Sequence, residues 1–198
     1  MHPVQAWPGA APVTAGAIVV IGVATAHSQR RDAARLQLRR ALREVLAGLL
    51  GLAPENIQLS AVAGQAPRIV LDAKACADRG LAQDTAGRIG CSLSHEAGLS
   101  LAAINLDGPI GVDLMRVQEI PDWEMVARDY LGGQAAAALA GVAPQQRARA
   151  FAKAWTAREA SLKCLGRPLG EWSPERLPCK TVQLDLPPAL AGALAVAA

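Results

Sequence analysis

Trp155-Thr156-Ala157-Arg158-Glu159-Ala160-Ser161-Leu162-Lys163 is the stretch on which the reading of this chain turns. It lies in a segment that Pro144 is placed to open and that runs to about Leu165, with Gly166 as its left-handed cap, so a long helix is expected. Within it Trp155, Glu159 and Lys163 stand four residues apart and drift only about 40° per step, which puts them on one face. Taken alone, this is a core-facing tryptophan beside an exposed Glu-Lys pair worth about 0.3–0.5 kcal/mol.

Working outward, the segments on either side read as short helices and strands. Residues 122–131, introduced by Pro121, and 134–140, ended by Gly141, are expected as helices. Residues 180–186 and 192–198, separated by Pro187-Pro188, read as two closing strands. Upstream, residues 91–95 and 99–105 flank Glu96-Ala97-Gly98 as a hairpin, and Ile110 to Val117 follows the turn Asp107-Gly108-Pro109 as a further strand. His95 and Asp113 then fall near strand ends.

Residues 15–26 are apolar and end in Ala24-Thr25-Ala26, yet they lack a basic lead and are too short to span a bilayer, so they read as a buried strand. In residues 32–50, Leu38, Leu42, Val45, Leu46 and Leu49 form a helical stripe, and Arg35, Arg39 and Arg43 make a basic row on another face. Residues 56–63 and 68–72 suggest strands and 73–82 a short helix. Residues 1–14, rich in Pro, Ala and Gly, read as a loose lead-in. The expected division is 1–14, an N-terminal half at 15–109 and a C-terminal half at 110–198. Each half ends in a strand of small residues, which hints at a duplicated α+β unit.

At 198 residues and 52% apolar content the chain can bury a sizeable core, made of small aliphatic side chains because it has one Phe and one Tyr. The net charge of +3 suits a phosphate-bearing ligand or an acidic partner and equally an ordinary solvated surface. Cys76, Cys91, Cys164 and Cys179 are scattered, with no zinc-like spacing, and are expected as reduced thiols in a cytoplasmic protein.

Three segments change the weight of the opening stretch: Ser94-His95, Gly111-Val112-Asp113 and the helix from Trp155 to Lys163. In this order and at these rough separations they resemble the signatures of the 4'-phosphopantetheinyl transferases of the larger, surfactin-synthetase-activating type. The resemblance implies an α+β fold of two similar halves related by a pseudo-twofold, with the active site and its coenzyme A in the cleft between them. It implies transfer of the phosphopantetheine arm of coenzyme A to a serine of an apo acyl or peptidyl carrier protein, releasing adenosine 3',5'-bisphosphate.

Such a reaction needs phosphate charge neutralised and the serine proton removed. The resemblance implies that Asp113 and Glu159 hold Mg²⁺, that Glu159 also serves as base, directly or through water, and that Lys163 contacts the pyrophosphate. Ser94 and His95 would bind phosphate oxygens, and Arg31 and Arg35 the 3'-phosphate of coenzyme A. The chain departs from the family's pattern in four places: Met115 stands where many members carry a third carboxylate, residues 64–68, Gly-Gln-Ala-Pro-Arg, lack an expected lysine, Arg158 replaces the usual lysine of the helix motif, and the amino-terminal half is shorter than usual.

Rival readings are a catalytically silent coenzyme A- or carrier-binding module and a Ser-His hydrolase, the latter weakened because Gly90-Cys91-Ser92-Leu93-Ser94 lacks the second glycine of a nucleophile elbow. Neither a nucleic-acid nor a membrane partner is expected, and a monomer is.

Overall fold

The structure is a computed structural model that describes residues 1–9, 18–26, 31–60 and 66–198. In chain order, β1 (Gln5–Trp7), β2 (Ile18–Ala24), α1 (Arg31–Leu50), β3 (Ile57–Ser60), β4 (Arg68–Leu71), α2 (Ala73–Asp78), α3 (Thr85–Arg88), β5 (Gly90–Glu96) and β6 (Leu99–Asn105) make the first half. The second half comprises β7 (Ile110–Arg116), α4 (Trp123–Val126), a π-helical turn at Ala127–Leu131, α5 (Gly133–Ala140), α6 (Pro144–Cys164), β8 (Cys179–Gln183) and β9 (Leu190–Ala197).

One sheet runs in the order β1-β2-β6-β5 and another in the order β7-β9-β8, while β3 and β4 form a separate pair. Within each half the strand preceding the long helix pairs with the last strand, which pairs in turn with the one before it, and all these pairings are antiparallel. The two sheets thus share this pattern of strand pairing.

β2 is apolar at nearly every position because both its faces are covered. Val19, Ile21 and Val23 pack with Leu38, Leu42 and Leu46 of α1. Val20, on the opposite face, joins Leu101 and Ala103 of β6 and Val112, Leu114 and Leu194 of the second sheet in a shared core. That shared core holds the halves together.

β5 and β7 run side by side but exchange no backbone ladder. Side chains on alternate residues of β5 take its place. The Val112 amide donates to Ser92 Oγ (3.0 Å), the Leu114 amide to Ser94 Oγ (3.1 Å) and the Arg116 amide to Glu96 Oε2 (3.2 Å). The pleat explains the spacing: residues two apart on a strand face the same way. Ser-x-Ser-x-Glu therefore stitches one sheet edge to the other through side-chain oxygens.

α6 lies against β7 and β9 through small residues, Ala160 and Cys164 meeting Ala193 and Ala195. Gly111 sets the approach. A Cβ there would fall on the Ala160 carbonyl oxygen and come 2.5 Å from the Cys164 nitrogen, both backbone atoms of α6.

Several sequence expectations are corrected. The lead-in is not loose throughout: β1 pairs in parallel with β2, the Trp7 indole donates to Glu44 at 3.2 Å, and His2 bonds the backbone of Gln183 and Asp185 in the other half. Three residues at a sheet edge carry no readable period; residues 10–14 lie outside the described ones. The helix expected over 122–131 is a single α turn that widens into the π-helical turn, and α2 stops at Asp78 as the chain turns at Gly80, whose φ is 67°. The strand expected over 180–186 ends at Gln183, β9 begins two residues earlier than expected, and residues 61–63 of another expected strand lie outside the described region.

Because the Ala160 carbonyl and Cys164 amide are fixed by the helix, Gly111→Ala is expected to destabilise the protein by about 3 kcal/mol or more. Urea unfolding measures it; an unchanged midpoint contradicts the close approach.

Candidate active site

The seam between the sheets opens into a cleft of about 490 Å³. β5 contributes Ser94, His95 and Glu96, β7 contributes Asp113 and Met115, α6 contributes Trp155, Glu159 and Lys163, and α1 contributes Arg35. Apart from Arg31, the residues singled out in the sequence thus converge on one cavity. Arg31 opens α1, and its side chain lies outside the described residues, as do Gly64 and Gln65.

Asp113 is the buried centre. One carboxylate oxygen, Oδ1, accepts from Lys163 Nζ at 2.7 Å and from Ser94 Oγ at 3.0 Å, and Lys163 also donates to the Val112 carbonyl at 3.2 Å. Ser94 is engaged in both directions, its hydroxyl donating to Asp113 while its oxygen accepts the Leu114 amide. Its one proton is directed at Asp113, whereas the resemblance implies a phosphate oxygen as its partner.

Glu159, one turn before Lys163, is half-buried. Burial first, and the charge of Asp113 second, push its carboxyl above the ordinary value, while Lys163 and Arg158 pull it back. The two carboxylates therefore share a field short of positive charge, which a hard cation with oxygen preference would supply. Among the described residues no group of three or more His, Cys, Asp and Glu side chains is placed to hold a metal. Asp113 and Glu159 line one cleft and are of the donor type a hard cation prefers, whereas the Met115 thioether is too soft to join them.

Trp155 forms part of the wall by packing. Its ring stacks on Phe151 at 5.8 Å and tilts against Tyr130 at 5.7 Å. Arg158, in the position of the family's usual lysine, reaches the Gly170 and Glu171 carbonyls at 3.3 Å each, and burial lowers its affinity for the proton. It braces the segment after α6.

Glu96 escaped the sequence reading although it lines the cleft. Its oxygens accept the Ala97 amide at 2.7 Å and the Arg116 amide at 3.2 Å. The signal was available: Ser92, Ser94 and Glu96 alternate on one face of a strand. Phe151 escaped too, because an apolar residue one turn before Trp155 reads as ordinary core.

The raised Glu159 carboxyl has a defined consequence for stability. Between the ordinary carboxylate range and its own higher value, the native state retains a proton that the unfolded chain has lost, so the contribution of Glu159 falls as pH rises. Glu159→Gln removes that cost. Its melting temperature is expected to exceed that of the wild type at alkaline pH, and the gap should close as the pH falls to the ordinary carboxylate range. Calorimetry across that range checks it, and a gap that widens on acidification contradicts it.

Comparison with known proteins places this cleft in a family context. Residues 109–195, just under half of the chain, match the sequence profile of the 4'-phosphopantetheinyl transferase superfamily. The 4'-phosphopantetheinyl transferase HetI of Nostoc sp. is 28% identical over 128 residues, which cover 65% of this chain and 49% of that protein. A Synechocystis sp. protein provisionally named as a 4'-phosphopantetheinyl transferase, slr0495, is 27% identical over 132 residues, covering 67% of this chain and 49% of its own. The chain spans about half the length of the curated relatives it matches. It is thus distantly homologous to these two proteins, and the part that carries Asp113, Glu159 and Lys163 is similar to the 4'-phosphopantetheinyl transferase superfamily.

Proposed function

We propose that this protein transfers the 4'-phosphopantetheine arm of coenzyme A to a serine of an apo acyl or peptidyl carrier protein, as a transferase of the larger, two-halved type. One observation carries the proposal: α1, β5, β7 and α6 bring a guanidinium, a histidine, three carboxylates and an ammonium to one cleft. The matching strand order of the halves supports a pseudo-twofold relation, with coenzyme A lying across the seam.

The carrier serine oxygen attacks the phosphorus that bears pantetheine. A P–O bond forms, the bond to the bridging pyrophosphate oxygen breaks, and adenosine 3',5'-bisphosphate leaves. Lys163 balances charge on the pyrophosphate, and Arg35 receives the 3'-phosphate. Glu159 takes the serine proton, directly or through one water, and its raised proton affinity suits a base that must pick a proton up. Asp113 and Glu159 are the side chains that would hold Mg²⁺, which when bound neutralises phosphate charge. Ser94 keeps Asp113 oriented and His95 meets a phosphate oxygen.

The same reading carries a single chain acting in the cytoplasm. No helix among the described residues is long and apolar enough to cross a membrane.

The test is to incubate the protein with coenzyme A, Mg²⁺ and a panel of apo acyl and peptidyl carriers and weigh each carrier. At least one is expected to gain a single phosphopantetheine arm, and Glu159→Ala is expected to slow the gain by about 10²–10⁴-fold. No gain on any carrier points to a silent binding module of the same fold. Full activity in Glu159→Ala removes the assigned base.

A further inference from the structure

The three links that close the seam between β5 and β7 are unequal. Ser92 and Ser94 each meet a β7 amide with an oxygen one bond beyond Cβ, whereas Glu96, the last in line and a residue of the cleft wall, does so through further rotatable bonds. A longer side chain loses more freedom when it is held, so such a link is slack unless something braces it.

Glu96 is braced from both strands. Its Oε1 accepts the Ala97 amide at 2.7 Å and its Oε2 the Arg116 amide at 3.2 Å. The Arg116 side chain then returns across the seam, and its Nη2 donates to the Ala97 carbonyl at 2.8 Å. Arg116 thus donates twice to the β5–β6 turn, through its amide to Glu96 and through its guanidinium to the next residue. The ion pair between Arg116 Nε and Glu96 Oε1 is long, at 3.9 Å, and partly in solvent, so the hydrogen bonds do the fastening.

What this fastening protects lies two residues back along each strand. The Leu114 amide donates to Ser94 Oγ, and the same hydroxyl donates to Asp113. Freeing the link between residues 96 and 116 leaves the link between 94 and 114 as the end of the seam. An end link frays more readily than an interior one, and with it goes the bond that aims Asp113.

We propose that Arg116 and Glu96 form a clasp that keeps the seam closed beside the cleft, and that Arg116 is thereby a positioning residue: it holds Ser94 on Asp113 and so sets the shape of the site for a phosphate-bearing ligand. Arg116 acts through Glu96, Ala97 and Ser94 and touches neither ligand nor reacting atoms. The ligand is that of the proposed coenzyme A site, on which this inference rests; the clasp itself does not depend on it.

The test reads the seam and the site separately. Arg116→Ala keeps the amide of residue 116, and hydrogen exchange followed by NMR should quicken roughly tenfold or more at residues 116 and 114, the loss of one hydrogen bond to a charged group, while the Val112 amide changes little. Calorimetric binding of coenzyme A should weaken roughly 2- to 10-fold, the size of one ordinary hydrogen bond. Glu96→Ala makes the opposite change of charge: removing a carboxylate from the cleft would by charge alone tighten the binding of a polyanion, yet an opened clasp loosens it by a similar factor. In a Ser94→Ala background Arg116→Ala should leave the affinity nearly unchanged. Arg116→Lys keeps the charge with a single donor and should move both readouts the same way by less, which covers failure of the alanine variant to fold. Faster exchange confined to residue 116, tighter binding in Glu96→Ala, or an affinity loss that persists without the Ser94 hydroxyl overturns the proposal. If the wild type does not bind coenzyme A at all, the functional reading fails, and the exchange at residue 114 alone decides the clasp.

Discussion

The hydrogen bonds from β7 amides to side-chain oxygens of β5 are the constraint on which the rest of this structure depends. A strand edge must satisfy its amides, and here Ser92, Ser94 and Glu96 do so in place of backbone carbonyls. Interposed side chains hold the two sheets farther apart than a ladder would, and the seam can open into a cleft at one end. Ser94 serves twice. The hydroxyl that closes the seam at Leu114 also donates to Asp113, so the joint between the halves and the orientation of the central carboxylate are one feature.

A second constraint brings the charges together. Gly111 lets α6 descend onto β7 with backbone nearly touching backbone, and Lys163, on the last turn of that helix, reaches Asp113 and the Val112 carbonyl. Glu159, one turn earlier, enters the same field and holds its proton more tightly than an exposed glutamate does. The cleft thus has three carboxylates: Glu96 is engaged by backbone amides, Asp113 is paired with an ammonium, and Glu159 is half-buried. A polyanionic ligand carrying its own divalent cation would relieve both imbalances at once: the cation answers the carboxylates and the ligand takes up the lysine.

What could be read in the sequence divides along physical lines. The face shared by Trp155, Glu159 and Lys163 was legible because helical periodicity is local, and the β5–β6 hairpin was legible because Gly98 marks its turn with φ 93°. The pairing of β1 with β2 and the His2 contacts to Gln183 and Asp185 were not, since they join short segments far apart in the chain with no periodic signal of their own. Glu96 reads in the sequence as a turn residue. Its role comes from the β7 amide it accepts, which composition does not encode. Met115 stands where the resemblance expects a carboxylate, and the structure sets it in the cleft wall beside the Phe151–Trp155 packing.

The central claim is that Asp113 and Glu159 form the protein's share of a metal site that operates together with a pyrophosphate in this cleft. The most direct measurement is the calorimetric affinity for coenzyme A with and without Mg²⁺, in the wild type and in Asp113→Asn. The account predicts that Mg²⁺ tightens binding about tenfold or more in the wild type and has little effect in the variant. Equal enhancement in both proteins, or none in the wild type, would contradict it.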